Sequence, residues 1–299
     1  MTSPHIALVT ARAARGLDED MPPLERALIH AGAQATIADW DDDSIQWSRF
    51  DLALLRSTWD YSQRLAEFLD WTHRVSEHTH LLNPLAVIRW NIDKHYLAEL
   101  SRAGVPVVPS AFVEPDDDAH TALAAFLDAY PRASDFVVKP CVGAGSLDAR
   151  RYQRKEREPA IAHLQRLLDA RRSTLLQPYL HSVDVHGETA LLFFEGEFSH
   201  AIRKGPMLRS DAALTGGLFV TEQITPREAS AQEIEIAKQA LVAMPFPQPL
   251  LYARVDLIGD EEHAPRLLEL ELTEPSVFLN HADGVAGRFA RAILRRASA

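Results

Sequence analysis

Four charged residues near the C-terminus have the spacing of a metal or phosphate site. The segments LYARVDLI and LLELEL read as two strands joined by a polar turn. Successive side chains of a strand face opposite ways, so Arg254 and Asp256 share one face, and Glu269 and Glu271 share one face of the partner strand. The two strands are predicted at Leu251–Ile258 and Leu267–Leu272.

The shared face of these strands carries three carboxylates, which must be neutralised by cations or hydrated by water. Buried without partners, each carboxylate would cost several kcal/mol or more. Oxygen ligands from two adjacent strands suit Mg²⁺, which proteins usually hold with one or two carboxylates plus substrate phosphates. The alternative interpretation is a solvated face, as in many antiparallel sheets.

Lysine is rare in this chain, with five lysines against 26 arginines. Lysine offers a compact charge that binds phosphate without the planar fork of arginine. Lys139 opens the segment VVKPCVGAGS, in which a strand runs into a loop with Gly143, Gly145 and Ser146. Glycines let backbone N–H groups approach a phosphate closely. This loop is therefore interpreted as phosphate-binding, and the alternative is a glycine-rich hairpin whose lysine is merely exposed.

The remaining lysines divide into two groups. Lys94 follows Asn91 and Asp93, either of which could cap a helix that begins near the lysine. Lys204 ends an alternating strand and precedes a long loop, so both lysines lie at element ends, where ligands are usually met. The other two lie in polar helical stretches and are predicted to be solvated: Lys155 and Lys238.

Composition excludes several classes of protein. The net charge of −11 argues against a nucleic-acid partner, since such proteins concentrate Lys and Arg on one face. No apolar run approaches the ~18 residues of a membrane helix, and no signal-peptide pattern occurs, so a cytoplasmic protein with no membrane partner is expected. The single cysteine, Cys141, is interpreted as a small loop residue, and a nucleophile is the less favoured alternative. There is no HExxH zinc motif.

The N-terminal third alternates strands and helices, which predicts a parallel α/β lobe whose ligands collect beyond the carboxyl ends of the strands. Arg56 then lies at the mouth of the lobe as a candidate partner of a substrate carboxylate or phosphate, unless it forms a surface salt bridge. No GxGxxG follows the first strand, which disfavours dinucleotide binding. The predicted strands are His5–Thr10, Ala35–Ala38, Phe50–Leu55 and Leu81–Leu82, and the predicted helices are Pro22–Ala31 and Ala66–Ser76.

Beyond this lobe, the sequence predicts two further α+β lobes. The first carries the Lys139 loop, and the second contains an antiparallel sheet, a loop around Gly205–Gly217 and the carboxylate strands. The predicted domains are 1–88, 89–180 and 181–299. The predicted helices are Lys94–Ala103, Pro159–Ala170, Glu228–Ala243 and Val285–Arg296.

In chain order, the segments NIDK, VVKPCVGAGS, LLQPYL, HAIRK, RVD and ELE resemble the motifs of the ATP-grasp superfamily of carboxylate–amine ligases, over about Arg89 to Glu274. RSTWDY, LLNP, RWNIDKHYL and FSHAIRKGP resemble the glutathione-synthetase-like branch, and within it the O-ureido-D-serine cyclo-ligases. The resemblance implies an ATP-grasp fold, in which an N-terminal parallel α/β lobe and two α+β lobes enclose ATP. The family's Glu-x-Asn metal pair is Glu-x-Glu here, because glutamate stands at position 271.

The resemblance also assigns roles to individual residues. ATP would be bound by Lys94, Lys139, Gly143, Gly145, Ser146, Gln177, Tyr179, Leu180, and by Asp184 or Glu188 at the ribose. Arg203, Lys204 and Arg254 would act on the transferred phosphoryl group, and Asp256, Glu269 and Glu271 would hold the metal. Arg56, His200 and Ser276 are the candidates for contact with the substrate.

The implied reaction begins when a substrate carboxylate attacks the γ-phosphate of ATP, giving an acyl phosphate and ADP. In a cyclo-ligase the nitrogen that then displaces phosphate belongs to the same molecule. The resemblance implies conversion of O-ureido-D-serine to D-cycloserine in antibiotic biosynthesis, with Mg²⁺ or in its place Mn²⁺. The alternatives are an intermolecular ligase that joins an amino acid to a peptide or amine, and a nucleotide-binding regulator without turnover. The oligomeric state is left open, a homo-oligomer included.

Overall fold

The N-terminal part is built on a four-stranded parallel sheet with strand order β2-β1-β3-β4. The computed structural model describes residues 3–208 and 223–297. The first and third strands are almost wholly buried, as expected for a parallel sheet covered on both faces. The strands are β1 (His5–Thr10), β2 (Gln34–Asp39), β3 (Leu52–Ser57) and β4 (His80–Leu82).

Helices cover the two faces of this sheet. Ile6 and Leu8 of β1 face a core shared with the first and last helices of the chain, whereas Ala7 and Val9 face a core shared with the second and third helices. This alternation is the period-2 pattern of a strand that is buried on both sides. The helices are α1 (Met21–His30), α2 (Leu65–Ser76), α3 (Leu85–Asn91) and α9 (Val285–Ala297).

The central part is an antiparallel sheet with strand order β5-β8-β6-β7. Two helices pack on one face through Leu123 and Leu164, which share a core with Phe136 of the sheet. The strands are β5 (Ala111–Val113), β6 (Asp135–Pro140), β7 (Arg150–Gln153) and β8 (Thr174–Pro178), and the helices are α5 (Ala119–Ala129) and α6 (Arg157–Asp169).

The C-terminal part is an antiparallel sheet with strand order β11-β10-β9-β12-β13. A helix with a Ser230–Glu233 capping box packs its apolar side on this sheet. The elements are α7 (Ser182–His186), β9 (Glu188–Phe194), β10 (Glu197–Lys204), β11 (Ile224–Arg227), α8 (Ala231–Val242), β12 (Tyr252–Gly259) and β13 (Pro265–Glu271).

The chain crosses between these parts more than once. Helix α4 (Tyr96–Arg102) packs in the core of the C-terminal sheet, and α9 returns to the N-terminal sheet. The segment before β5 is fixed to the edge strand β13, because Leu267 donates to Pro106 O at 2.8 Å and Val108 donates to Leu267 O at 2.9 Å. The predicted domain boundaries stay a prediction.

Most predicted elements have the expected type and differ by one or two residues at their ends. Strand β3 runs to Ser57 instead of Leu55, which places Arg56 inside the strand. Helix α4 begins at Tyr96 without a side-chain cap, so neither Asn91 nor Asp93 caps it. Residues 209–217 of the predicted Gly205–Gly217 loop lie outside the described residues. Within the described chain, every helix is too short or too polar to cross a membrane.

Candidate active site

A cavity of about 290 Å³ is lined by residues of the central and C-terminal sheets and by residues that lie outside the strands of the N-terminal part. Its volume is near the lower end of the range for ligand pockets, about 300 to 1,000 Å³. Fourteen of the predicted site residues line it: Lys94, Lys139, Gly143, Gly145, Ser146, Gln177, Tyr179, Leu180, Glu188, Lys204, Arg254, Glu269, Glu271 and Ser276.

The carboxylate strands pair as the alternation pattern predicts. Arg254 lies opposite Glu271, and Asp256 lies opposite Glu269. The Arg254 guanidinium donates to Glu271, and its Nε lies 2.9 Å from Asp256 Oδ1. Asp256 also accepts a hydrogen bond from Lys204 Nζ at 2.7 Å and is only 1% exposed. Asp256 therefore lies beneath Lys204 and Arg254 and is absent from the residues that line the cavity.

Two further ion pairs connect the surrounding elements to this face. Lys94 Nζ lies 2.9 Å from Glu269 and donates to Gly143 O at 3.1 Å, which joins the start of α4 to the glycine loop. Lys204 Nζ lies 3.0 Å from Glu188. Burial raises the pKa of Glu269, but Lys94 and the nearby lysine of the glycine loop outweigh it and lower that pKa to about 2. This carboxylate is therefore ionised at neutral pH.

Lys139 differs from the other cavity lysines. It is the penultimate residue of β6 and lines the cavity, and within the described chain its ammonium makes neither a hydrogen bond nor an ion pair. Burial lowers the pKa of Lys139, whereas Glu269 raises the pKa of Lys94 against the effect of burial. The Lys139 charge is thus available to an anion that enters the cavity.

The glycines position backbone rather than side chains. Gly145 has a φ of 59°, in the left-handed region, at the tip of the loop that follows β6. Gly187 has a φ of 70°, and a Cβ there would lie 2.4 Å from the Lys204 carbonyl oxygen. Glycine at 187 therefore permits the close approach of two backbones that sets Glu188 beside Lys204.

At the end of β8 the cavity has an apolar wall. Tyr179 packs in one core with Val108, Val183 and Ile258. Gln177 donates to Ser110 Oγ at 2.9 Å. A flat heteroaromatic ring fits such a place, because apolar faces meet it on the sides and backbone polar groups lie at the strand end.

Two predicted residues of this region point away from the cavity. Arg203 lies on the opposite face of β10 from Lys204, and its guanidinium donates to His186 O at 2.7 Å and Val185 O at 3.1 Å. Asp184 accepts from Tyr179 Oη at 2.6 Å and pairs with Arg151 at 3.3 Å. Of the two carboxylates predicted at a ribose, Glu188 is the one that lines the cavity.

Two predicted substrate residues also lie elsewhere. Arg56 is fully buried within β3, donates to Pro275 O at 2.9 Å and lies 3.7 Å from Asp20, because the strand continues past it. His200 is buried with Nε2 2.9 Å from Val277 O, and burial lowers its pKa to about 4. Both side chains hold the segment that follows β13 and do not reach the cavity.

Several cavity residues were not predicted. Trp59 and Tyr61 lie in the short helical turn after β3, Asp18 lies just before α1, and Glu274 lies three residues beyond Glu271. Strand alternation could not indicate Glu274, because β13 ends at Glu271. Burial and the charge of Glu271 raise the pKa of Glu274 to about 8.

The donor set of the carboxylate face fits a magnesium ion. Glu269 and Glu271 line the cavity and supply hard oxygen ligands, and Asp256 lies opposite Glu269 on the neighbouring strand. Lys204 and Arg254 hold Asp256 in this structure, so a metal ion would compete with them for its oxygens.

Comparisons with known proteins agree with this geometry. Residues 6–83 match the family model described as the N-terminal domain of D-cycloserine synthetase DcsG. The chain is 43% identical over 295 residues to the cycloserine biosynthesis protein DcsG of Streptomyces lavendulae, covering 97% of this chain and 98% of that protein. The crystal structure of D-cycloserine synthetase DcsG superposes with a TM-score of 0.92 at 43% identity, over 98% of this chain and 99% of that one.

The same fold occurs in a solved structure of much lower sequence identity. The ATP-grasp ligase PsnB, in complex with its minimal precursor, Mg and ADP, matches with a TM-score of 0.64 at 18% identity, over 98% of both chains. The predicted ATP-grasp fold and the predicted resemblance are therefore confirmed. The chain belongs to the D-cycloserine synthetase family of ATP-grasp ligases.

Proposed function

We propose that this protein uses ATP to activate the carboxylate of a small amino acid and closes a ring by attack of a nitrogen of the same molecule. The proposed substrate is O-ureido-D-serine and the product is D-cycloserine. The observation that carries the proposal is the unpaired Lys139 ammonium in a cavity whose other wall is the carboxylate face. A relative that is 43% identical over nearly the whole chain is named for cycloserine biosynthesis, which supports the substrate assignment.

The nucleotide would lie along the cavity between β8 and the carboxylate face. Its ring would fit the apolar wall around Tyr179 and Leu180, and Glu188 is the proposed partner of the ribose hydroxyls. Lys139, Lys94 and the backbone around Gly143 and Gly145 would meet the phosphates. This assignment agrees with the need of phosphate groups for compact cations and exposed N–H donors.

The carboxylate face is the proposed metal site. Asp256 and Glu269 would hold Mg²⁺, with Glu271 as a further oxygen donor, and Mn²⁺ is expected to substitute. A metal ion held by these carboxylates would supply positive charge that neutralises the phosphates. Lys204 and Arg254 would then be released from Asp256 to face the γ-phosphate.

Phosphoryl transfer needs positioning and charge stabilisation more than a nucleophilic side chain. A substrate carboxylate oxygen attacks the γ-phosphorus, the bond to the bridging oxygen breaks, and ADP leaves. Arg254 and Lys204 would stabilise the charge on the transferred group. The products of this step are an acyl phosphate and ADP.

Ring closure then uses the acyl phosphate as the electrophile. The nitrogen bonded to the side-chain oxygen attacks the acyl carbon, and the bond from that carbon to the phosphate oxygen breaks. The nitrogen gives up its proton as the new bond forms, and the product ring nitrogen carries only hydrogen as its third substituent. The bond from that nitrogen to the carbamoyl carbon must therefore break as well: water adds to the carbamoyl carbon, a proton goes to the ring nitrogen, and the carbamoyl group leaves as carbamic acid, which gives CO₂ and ammonia. Tethering of nucleophile and electrophile can lower such a barrier by roughly 7 to 11 kcal/mol.

The test is incubation of the protein with ATP, Mg²⁺ and O-ureido-D-serine, with ADP and cycloserine measured together. One ADP per ring is expected without any added amine, and a chelator should abolish both products until Mg²⁺ is restored. Release of ADP only after a second amino acid is supplied, with an open-chain amide as product, would establish an intermolecular ligase. Nucleotide binding without ADP release from any amino acid would indicate a regulator.

A further inference from the structure

Most acidic groups in the cavity are already neutralised. Glu269 pairs with Lys94, Glu188 pairs with Lys204, and Glu271 accepts from Arg254. Asp20 accepts three backbone N–H groups of the segment after β13. Each of these carboxylates therefore has a partner within the protein.

Glu274 is the exception among the buried carboxylates of the cavity. It is only 9% exposed, and its side chain makes neither a hydrogen bond nor an ion pair with any described residue. Its two oxygens are not fully enclosed by protein atoms. Because Glu274 lines the cavity, these oxygens face it. The unbonded Oδ2 of Asp18, by contrast, is sealed in protein and beyond the reach of a ligand.

The surroundings of Glu274 identify the end of the cavity to which it belongs. Its backbone carbonyl accepts a hydrogen bond from Trp59 Nε1 at 3.4 Å, and among the charges that raise the pKa of the buried Tyr61 hydroxyl, that of Glu274 has the largest effect. Its other electrostatic neighbours are Glu271, Lys94 and Arg254. Glu274 thus lies between the N-terminal aromatic residues and the site of phosphoryl transfer.

A buried carboxylate that faces a ligand cavity without a partner needs a cation or a hydrogen-bond donor from the ligand. An α-amino acid supplies such a cation two bonds away from its own carboxyl carbon. Resting on the proposed function, we infer that Glu274 binds the α-ammonium group of the amino-acid substrate and so orients the neighbouring carboxylate toward Arg254. Glu274 is then a positioning residue for the substrate.

The high pKa of Glu274 agrees with this role. Burial and the charge of Glu271 raise it to about 8 when the cavity holds no cation. A bound ammonium would favour the ionised form, because an opposite charge within hydrogen-bond distance stabilises a carboxylate. The group is therefore poised to ionise when its substrate arrives.

The inference is tested by deleting the ammonium from the substrate and the carboxylate from the protein. Binding of O-ureido-D-serine and of 3-(ureidooxy)propanoate, the same acid without its amino group, is measured by calorimetry in the presence of Mg²⁺ and a non-hydrolysable ATP analogue. The wild-type protein should bind the amino acid at least 30-fold more tightly. Glu274→Gln should reduce that preference to less than threefold and change the affinity for the ATP analogue by less than threefold.

Each other result overturns the inference. Equal binding of the two acids by the wild type, or an unchanged preference in Glu274→Gln, excludes an ammonium contact at this residue. Equal weakening of both acids and of the ATP analogue would show a structural role, and a raised Mg²⁺ requirement would show a metal ligand. If Asp18→Asn lost the preference for the amino acid and Glu274→Gln kept it, Asp18 would be the residue that binds the ammonium.

Two arrangements keep the test decisive. If Glu274→Gln does not fold, Glu274→Asp serves in its place, and its shorter side chain should reduce the preference at least fivefold. Binding is measured without turnover, so failure of ring closure does not affect it. If the wild type binds neither acid, the inference and the proposed function both fall.

Discussion

The lysines of the cavity show how one residue type can have opposite effects on stability. Lys94 and Lys204 neutralise buried carboxylates, and removing either would take a partner away from a buried charge. Lys139 neutralises none of them at hydrogen-bond distance, and its pKa is lowered by burial. Burial of the Lys139 charge therefore lowers the stability of the folded protein, and we expect this loss to be offset only when an anion binds.

This contrast leads to a prediction for Lys139→Ala. Its free energy of unfolding without nucleotide should be unchanged or higher, because a desolvated and unpaired charge is removed. Its kcat/KM for ATP should fall by at least 100-fold, since the proposed contact with a phosphate is lost. Chemical denaturation and ADP-release kinetics measure the two quantities.

The matched control is Lys155→Ala, because Lys155 is exposed. Both quantities should be close to wild type in that variant. A marked loss of stability in Lys139→Ala, with kinetics near wild type, would show that Lys139 is a structural residue.

At the scale of single elements, alternation along β12 and β13 was sufficient to predict which charges share a face, and the register agrees with it. The same rule separates Arg203 from Lys204, since neighbouring residues of β10 face opposite ways. Arg56 was placed at a strand end because apolar residues stop at Leu55, but β3 continues through a fully buried arginine. Tertiary partners such as Asp20 and Pro275, distant in sequence, make that burial possible and leave no local signal.

The segment after β13 depends on one carboxylate for its shape. Asp20 Oδ2 accepts from Val277 N at 2.6 Å and Phe278 N at 2.9 Å, and Oδ1 accepts from Leu279 N at 2.6 Å. Ser276 and Phe278 of this segment line the cavity. A change at Asp20 should therefore affect both stability and substrate binding.

We predict that Asp20→Asn lowers the free energy of unfolding by about 2 kcal/mol, because the amide NH₂ cannot accept the hydrogen bonds made to one of the two oxygens. The KM for the amino acid should rise more than the KM for ATP. Denaturation curves and steady-state kinetics test this, with the exposed Asp43→Asn as the control. Equal effects of the two substitutions would contradict the assignment.

At the scale of the whole molecule, the three sheets differ in how much hydrophobic core they share with one another. One core joins Ile6 and Leu8 of the N-terminal sheet to Leu192 and Tyr252 of the C-terminal sheet, with α9 between them. The core that contains Phe136 lies within the central part, whose sheet shares only a few residues, such as Val137 and Leu175, with cores of the C-terminal sheet. The first and last parts should therefore unfold together, whereas the central part can open separately.

The cavity lies where this separable part meets the other two. The resemblance of the motifs, in their chain order, to those of ATP-grasp ligases was enough to predict the ATP-grasp fold with its three lobes. The path of the chain between the lobes was not predictable in the same way. The burial of α4 in the C-terminal core and of α9 against the N-terminal sheet depends on contacts between residues far apart in sequence.

A ligand that bridges the cavity should change the opening of the central part. We predict that amide hydrogens of Val138 and Leu176 exchange with solvent through an opening of lower free energy than those of Val9 and Val255, which belong to the jointly packed sheets. Mg²⁺ with a non-hydrolysable ATP analogue at 100 times its dissociation constant should slow the central exchange by about 100-fold, because the ligand binds only the closed form. Lys139→Ala should abolish most of that slowing at the same ligand concentration, since the lysine is the central part's proposed charged contact with the phosphates. Uniform exchange across the three sheets, or equal protection of Val9 and Val138 by the ligand, would contradict an independent opening of the central part.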